Sequence, residues 1–388
     1  MPVTDAGLVD EVRRNVADLA RAVDSLRPLA EAGYPLRVPA GPAGRTVAVV
    51  ADALGVPVSP AEAGGTPGRF DPLVAGLLHP YLEHLCLEPG RVPDLTAGAA
   101  SPVADVARQA LRDPDITSRT VPVDGTRVRT YAAGEPGRPA VVLASACGMP
   151  AALCQPWMRF LAAGHRVVTW ETRGLFGELG SGADFDALAY DLDAQAADLL
   201  AVMDHYGLPD AHVMGLCGGA VIALRAAARQ PERVTSLSLW HGDFSGTPGP
   251  TTSHQDNLKA LMGMAVQSRE DAAAINEALA QTALAAVPAN VAHLVVYPYA
   301  TAELFYRYCV LTGATMTTDI SELLPLVRQP GLVVTSEDDH TAHPGGSHQV
   351  AARLPRAALR VEPHGDHISV FGAEPRLQRI LTDFLRSA

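Results

Sequence analysis

The segment of this sequence best suited to covalent chemistry is Gly215-Leu-Cys-Gly-Gly219. A cysteine with glycines two residues to either side, set between an apolar strand-like run and a helix-like run, fits a sharp, strained turn. The glycines let strand and helix approach closely. Such a turn lifts the Cys217 sulfur above a sheet edge, at the N-terminus of the next helix. There the helix dipole and free N–H groups favour a thiolate. A thiolate so placed is a nucleophile for acyl carbons, and it needs a base to form and hold it. The N–H of Gly218, the next residue, is a natural donor to the oxyanion that such an attack creates.

A base and an acid are found downstream, in the order nucleophile, acid, base. His367 ends the loop Pro363-His-Gly-Asp-His367 after the apolar strand Ala358 to Glu362, and precedes Ile368. His364, in the same loop, is the competing base. The acid that should orient the imidazole follows the preceding strand, in Gly331-Leu-Val-Val-Thr-Ser-Glu-Asp-Asp-His340, where Asp339 stands four positions past the strand end and Asp338 is the alternative. A second oxyanion donor is expected from the loop Ser145-Ala-Cys-Gly-Met-Pro150, at the N–H of Met149. Trp240-His-Gly-Asp-Phe244 follows another strand at the same edge. There Asp243 could pair with a substrate ammonium and His241 could line the pocket; a structural loop role competes for both. Cys147 reads as structural, with a place at the border of the site as the alternative. Cys86, Cys154 and Cys309 read as core residues, and Tyr297, Tyr299, Tyr306 and Tyr308 as packing residues.

The elements that must position these groups alternate between strand and helix. Thr120 to Tyr131 reads as two strands joined at Asp124-Gly125, a hairpin signal. Apolar strands are expected at 139–144, 165–170, 211–216, 234–240, 331–335 and 358–362, with helices at 185–206, 219–229, near 346–353 and at 374–386. That alternation implies an α/β class protein with a mostly parallel sheet, helices on both faces and right-handed crossovers. Residues 245–325 interrupt it with helical material, a helical lid insertion by its position. Residues 1–115 begin with an amphipathic helix carrying Leu8, Val12, Val16, Leu19, Val23 and Leu26, stopped at Pro28. They then become rich in Pro, Gly and Ala, and form an N-terminal helical extension. The expected core is therefore 116–244 with 326–388.

Composition bounds the partners. A net charge of −12 repels phosphate backbones, and aromatic residues at 5% provide no base-stacking platform, so nucleic acid is excluded. An odd number of cysteines, five, without a CxxC pair, argues against a disulfide framework or a zinc site. No secretory signal is visible, and the apolar stretch 141–154 is broken by Gly148 and Pro150, too short to span a membrane. A reduced, cytoplasmic protein is expected, with no metal.

From about Thr117 onward the chain resembles the α/β-hydrolase superfamily. The elbow is that family's G-x-S-x-G with cysteine in the serine place, and Glu171-Thr-Arg-Gly-Leu-Phe-Gly177 is similar to its Asp-x-Arg-Gly-x-Gly turn with Glu for Asp. The elbow cysteine, the loop Ala146-Cys-Gly-Met-Pro150 and the long extension together resemble a narrower group. This is the aminoacyltransferases of nonribosomal peptide pathways, of the coronamic-acid and syringomycin type. That resemblance implies Cys217, His367 and Asp339 as an acyl-accepting triad exchanging (amino)acyl groups between phosphopantetheine thiols of acyl or peptidyl carrier proteins. The partner brings the phosphopantetheine and the chain itself needs no cofactor. Sulfur suits such exchange, because a thioester intermediate is nearly isoenergetic with the thioesters on either side. The alternatives are a cysteine-type thioesterase or dienelactone-type hydrolase with the same triad, and a catalytically inactive hydrolase-fold binding module.

Overall fold

A computed structural model describes residues 5–38, 41–61, 68–85, 102–111, 115–177, 182–283 and 289–388. The chain separates into two compact units, one formed by Met1–Pro114 with Ala278–Thr301, the other by Asp115–Glu277 with Ala302–Ala388.

The first unit is helical with a small sheet. It contains α1 (Asp5–Ser25), α2 (Arg27–Glu31), β1 (Leu36–Val38), α3 (Pro42–Leu54), β2 (Val58–Pro60), α4 (Asp71–Leu85) and α5 (Pro102–Ala110). The apolar stripe of the first helix does what its spacing implies: Val16, Leu19 and Val23 are buried, and α1 packs against α3, α4 and α5. Pro28 restarts the chain instead of ending it, in the first turn of the short α2, where a missing N–H costs nothing. The parallel pair β1–β2 was not expected in a helical extension. Its three-residue strands are too short to write an alternation into the sequence.

The second unit holds one eight-stranded sheet. Its first part comprises β3 (Ile116–Val123), β4 (Thr126–Ala133), β5 (Ala140–Ala144), α6 (Gln155–Ala162), β6 (Arg166–Trp170), α7 (Gly182–Asp186), α8 (Leu192–His205), β7 (Ala211–Leu216), α9 (Gly219–Arg229) and β8 (Val234–Trp240). Helices α10 (Ser253–Ala265) and α11 (Arg269–Ala283) follow, then α12 (Ala289–Val295), which packs on α4 in the first unit. The segment 278–301, expected in the lid, therefore groups with the N-terminal unit. Helix α13 (Ala302–Thr317), β9 (Gly331–Ser336), α14 (Pro344–Arg353), β10 (Ala357–Glu362) and α15 (Pro375–Ser387) complete the second unit.

The strand order is β10-β9-β8-β7-β5-β6-β4-β3. The hairpin strands β3 and β4 pair antiparallel, β4 also lies antiparallel to β6, and all other pairings are parallel. Strand β7 is buried along its whole length, as a central parallel strand covered on both faces must be. A buried cluster including Val142, Val168, Val213, Leu237 and Val333 from the strands, with Leu199 and Leu224 from α8 and α9, forms the core on one side. The helix expected at 185–206 is two helices, because Asp191 caps α8 by accepting from the Ala194 N–H at 2.8 Å.

Candidate active site

Cys217 lies between the end of β7 and the start of α9 with φ of 53°, a left-handed backbone that a non-glycine residue rarely adopts. The flanking glycines are obligatory for close approach. A Cβ on Gly215 would lie 2.5 Å from Ala220 Cα, and one on Gly219 would lie 2.0 Å from the Ala144 carbonyl oxygen. The turn is stitched to the neighbouring strand: Cys217 N–H donates to Trp240 O at 3.0 Å, and Asp243 N–H donates to Cys217 O at 3.3 Å. One strand further, His241 N–H donates to Val334 O at 2.8 Å, and Glu337 N–H donates to Glu362 O at 3.1 Å.

The four described cysteines are all free thiols; Cys86 lies outside the described residues. Cys147, Cys154 and Cys309 are buried, while Cys217 is half-buried. Burial pushes the Cys147 and Cys154 thiols up to about 11 and the Cys309 thiol up to about 12, which keeps all three protonated.

Strands β9 and β10 bring the acid and base to the same edge. Asp339 and His367 are buried, and His367 Nδ1 lies 2.9 Å from Asp339 Oδ2. The other oxygen, Oδ1, accepts from the N–H groups of Thr341 (2.9 Å) and Ala342 (2.8 Å). Burial works against the charged carboxylate. Hydrogen bonds from His241 and His367, the charge of His367 and the Ala342 N–H outweigh it, and hold Asp339 well below the usual carboxylate range. Burial likewise works against a charged His367. The nearness of Cys217 and the hydrogen-bonded Asp339 carboxylate overcome it, so the imidazole is held well above its ordinary value. The Nε2 atom of His367 is buried and has no well-aligned hydrogen-bond partner, a common condition of a catalytic nitrogen before substrate arrives. The competing pair, His364 and Asp338, stands outside at 3.2 Å, with the His364 side chain 84% exposed.

His241 is placed differently from a pocket-lining role. Its Nδ1 lies 3.0 Å from Asp339 Oδ2, so two histidines share one carboxylate oxygen, and its own φ of 47° is left-handed. His241, Asp339 and His367 have the donor types of a metal site, but the shared hydrogen bonds already satisfy Oδ2. The Asp243 carboxylate accepts from Gln255 Nε2 at 2.7 Å and from Ser245 N–H at 3.1 Å, which ties the strand end to the first turn of α10.

The oxyanion loop corrects one expectation. Met149 N–H donates to Ala146 O at 3.1 Å, closing a turn, and is not free to serve a substrate. Gly148 N–H is likewise spent on Thr172 Oγ1 at 2.9 Å. Cys147 N–H has no partner among the described residues, and it lies 3.8 Å from where a Gly218 Cβ would stand. Thr172 belongs to the Glu171–Gly177 turn, anchored below by the buried Arg173, whose Nε donates to Asp198 at 2.6 Å. Two further residues were not foreseen. Thr315 Oγ1 on α13 approaches Gly218, and His254 on the first turn of α10 is held below the ordinary histidine value, by burial first and then by His367. Neither stands out in the sequence, since His254 lies in the polar run 251–257 and Thr315 is one of several threonines near the end of α13.

The strand order, the elbow and the acid and base on the two following strands define an α/β-hydrolase-fold protein. The sequence pattern of the α/β-hydrolase fold matches residues 139–262. A protein named carbamate hydrolase RutD, from Stutzerimonas stutzeri, is 26% identical over 65% of this chain and 93% of its own length. Epoxide hydrolase A of Mycobacterium tuberculosis is 34% identical over 31% of this chain and 37% of its own. Among solved structures, the enol-lactonase of Burkholderia xenovorans superposes with a TM-score of 0.56 at 21% identity, over 69% of this chain and all of that one (100%). A 2-hydroxy-6-oxo-6-phenylhexa-2,4-dienoate hydrolase from a Rhodococcus species gives 0.56 at 18% identity, over 70% and 99% of the two chains. Likeness at these identities establishes the fold.

Proposed function

We propose that the protein is a cysteine-dependent hydrolase that cleaves activated acyl compounds, esters or thioesters, through a Cys217 thioester. One observation carries the reading: a buried imidazole is fixed at 2.9 Å on a carboxylate whose other oxygen accepts two main-chain N–H groups, with its Nε2 buried and free of a well-aligned partner. The names of the relatives, a carbamate hydrolase and an enol-lactonase among them, favour hydrolysis over other uses of the fold.

In this reading the Cys217 thiolate attacks the acyl carbon. The N–H groups of Gly218 and Cys147 receive the oxyanion, with Cys147 taking the part expected of Met149. The His367 imidazolium gives its proton to the leaving group as the carbon–heteroatom bond breaks, leaving a thioester on Cys217 and a neutral imidazole. His367 then takes a proton from water, the hydroxide adds to the thioester, and the Cys217 thiolate departs with the acid as product.

A second reading, transfer of the (amino)acyl group to the thiol of a carrier protein, is favoured by the sulfur itself. Serine gives an oxoester that a thiol acceptor reverses with difficulty, whereas a thioester exchanges with thiols at little cost. Incubation with an acetyl thioester, followed by intact-mass analysis, should show one acetyl adduct that is absent in Cys217→Ala. No adduct under any acyl donor would leave only the binding-module reading. Chasing the adduct with a pantetheine thiol decides between the first two readings: release at the same rate with and without thiol supports hydrolysis, and a large acceleration supports transfer.

A further inference from the structure

Helix α13 has two distinct faces. One touches the catalytic loops: Thr315 approaches Gly218, and Tyr308 fills the space where a Gly148 side chain would stand. The other face, with Tyr306, Val310, Gly313 and Thr317, borders an open cavity of about 470 Å³ also lined by Phe185 and Asp186 of α7, by Lys259 and Met262 of α10, and by Val266 just after α10. None of Cys217, His367 or Asp339 lines it. Its size is that of a small-molecule site, since ligand pockets run from roughly 300 to 1,000 Å³.

Two features mark the space. Gly313 borders the cavity from the interior of α13, where glycine costs about 1 kcal/mol relative to alanine. It has no left-handed backbone, and a Cβ there would meet nothing within 4 Å. That glycine is thus required neither by backbone conformation nor by close packing, and what it leaves is room. The second feature is charge. Lys259 is the only lysine in the chain, in which the other cationic side chains are arginine. Its Nζ donates to Ser245 O at 2.9 Å, and no carboxylate among the described residues lies within ion-pair distance of it. The one acid on the wall, Asp186, is answered by Arg269 at 2.9 Å. An ammonium retaining free N–H donors, above walls of Met262, Val266, Tyr306 and Val310, suits a ligand with an anionic head and an aliphatic body.

We propose that this cavity is a second ligand site, separate from Cys217, which binds a medium-chain aliphatic carboxylate with Lys259 as the counter-charge. The proposal does not depend on which acyl reaction Cys217 performs. Calorimetric titration of the full chain carrying Cys217→Ala with decanoate, below its micellar concentration, should give one saturable site. Lys259→Met should weaken binding at least about tenfold and Lys259→Arg should keep it, the gap expected for a charge-assisted hydrogen bond. Gly313→Leu, or the smaller Gly313→Val should the first fail to fold, should fill the space and abolish binding. Wild-type protein alkylated at Cys217 with iodoacetamide should bind decanoate as the free protein does. The proposal is overturned by the absence of saturable binding, by unchanged affinity in Lys259→Met or in the glycine variants, or by loss of binding on alkylation, which would place the ligand at Cys217.

Discussion

Two carboxylate–imidazole pairs bridge the same two loops. Asp338 and Asp339 are adjacent in sequence, and His364 and His367 are separated by two residues, yet the pairs they make differ in every physical respect. The outer pair meets at 3.2 Å with both side chains open to solvent. Water screens such a contact, and its worth is about 0–1 kcal/mol. The inner pair meets at 2.9 Å in a buried setting, with two main-chain N–H groups and a second histidine completing the carboxylate's shell. Residue type is identical in the two. What separates them is desolvation and the number of fixed donors, and these turn an ordinary surface contact into a group with strongly displaced proton affinity.

Variants can test how far that difference reaches. The largest effect is expected at the group which only the inner pair faces. Cys217→Ala should lower turnover of an acyl ester by at least about a thousandfold, read from single-turnover acylation. His367→Ala should cost on the order of 10³-fold in kcat/KM, while His364→Ala should stay within about twofold. Asp339→Asn should cost about 10²- to 10⁴-fold by presenting the wrong partner to the imidazole, and Asp338→Asn should again stay within about twofold. An equal loss in both members of either comparison would refute the assignment.

Stability should carry the same signature. The Asp339 carboxyl is held below its unfolded value, so its contribution is present above the ordinary carboxylate range and is lost as pH falls toward the folded value. His367 is held above its unfolded value, so its contribution is present below the ordinary histidine value and is lost as pH rises toward the folded one. The urea midpoint should therefore be highest between about pH 4 and 6.5. Asp339→Asn should flatten the acid limb, and His367→Gln the alkaline one. The smallest effect is expected at His241→Asn, which removes one of two donors to Oδ2 while leaving His367 in place. It should lower kcat about two- to tenfold with little change in KM. A loss as large as that of His367→Ala would instead make His241 the working base.

Much of this was legible from residue types, because the fold places its chemistry at strand ends and strand ends are marked by apolar runs. Cys217, Asp339 and His367 could be read that way, as could β7, α9 and β8 to the residue. The choice between Asp338 and Asp339 rested on position in the loop, and burial is what distinguishes them in the fold. The second oxyanion donor failed for a local reason. The loop closes a turn from Ala146 to Met149 that consumes the Met149 N–H, and hydrogen bonding inside an irregular loop leaves no periodicity behind. The approaches of His241 to Asp339 and of Thr315 to Gly218 are products of tertiary folding, invisible along the chain.

The main-chain bonds joining Cys217 to Trp240, His241 to Val334 and Glu337 to Glu362 have a dynamic consequence. They step across four neighbouring strands from β7 to the edge strand β10, so the Cys217 and His241 amides are tied to the ladder of the sheet interior and not to a fraying loop. Solvent exchange of those two amides should be slow and of similar rate, governed by rupture of the sheet, with the Glu337 amide at the edge exchanging faster. On heating, reactivity at the sulfur should then disappear together with cooperative melting and not ahead of it.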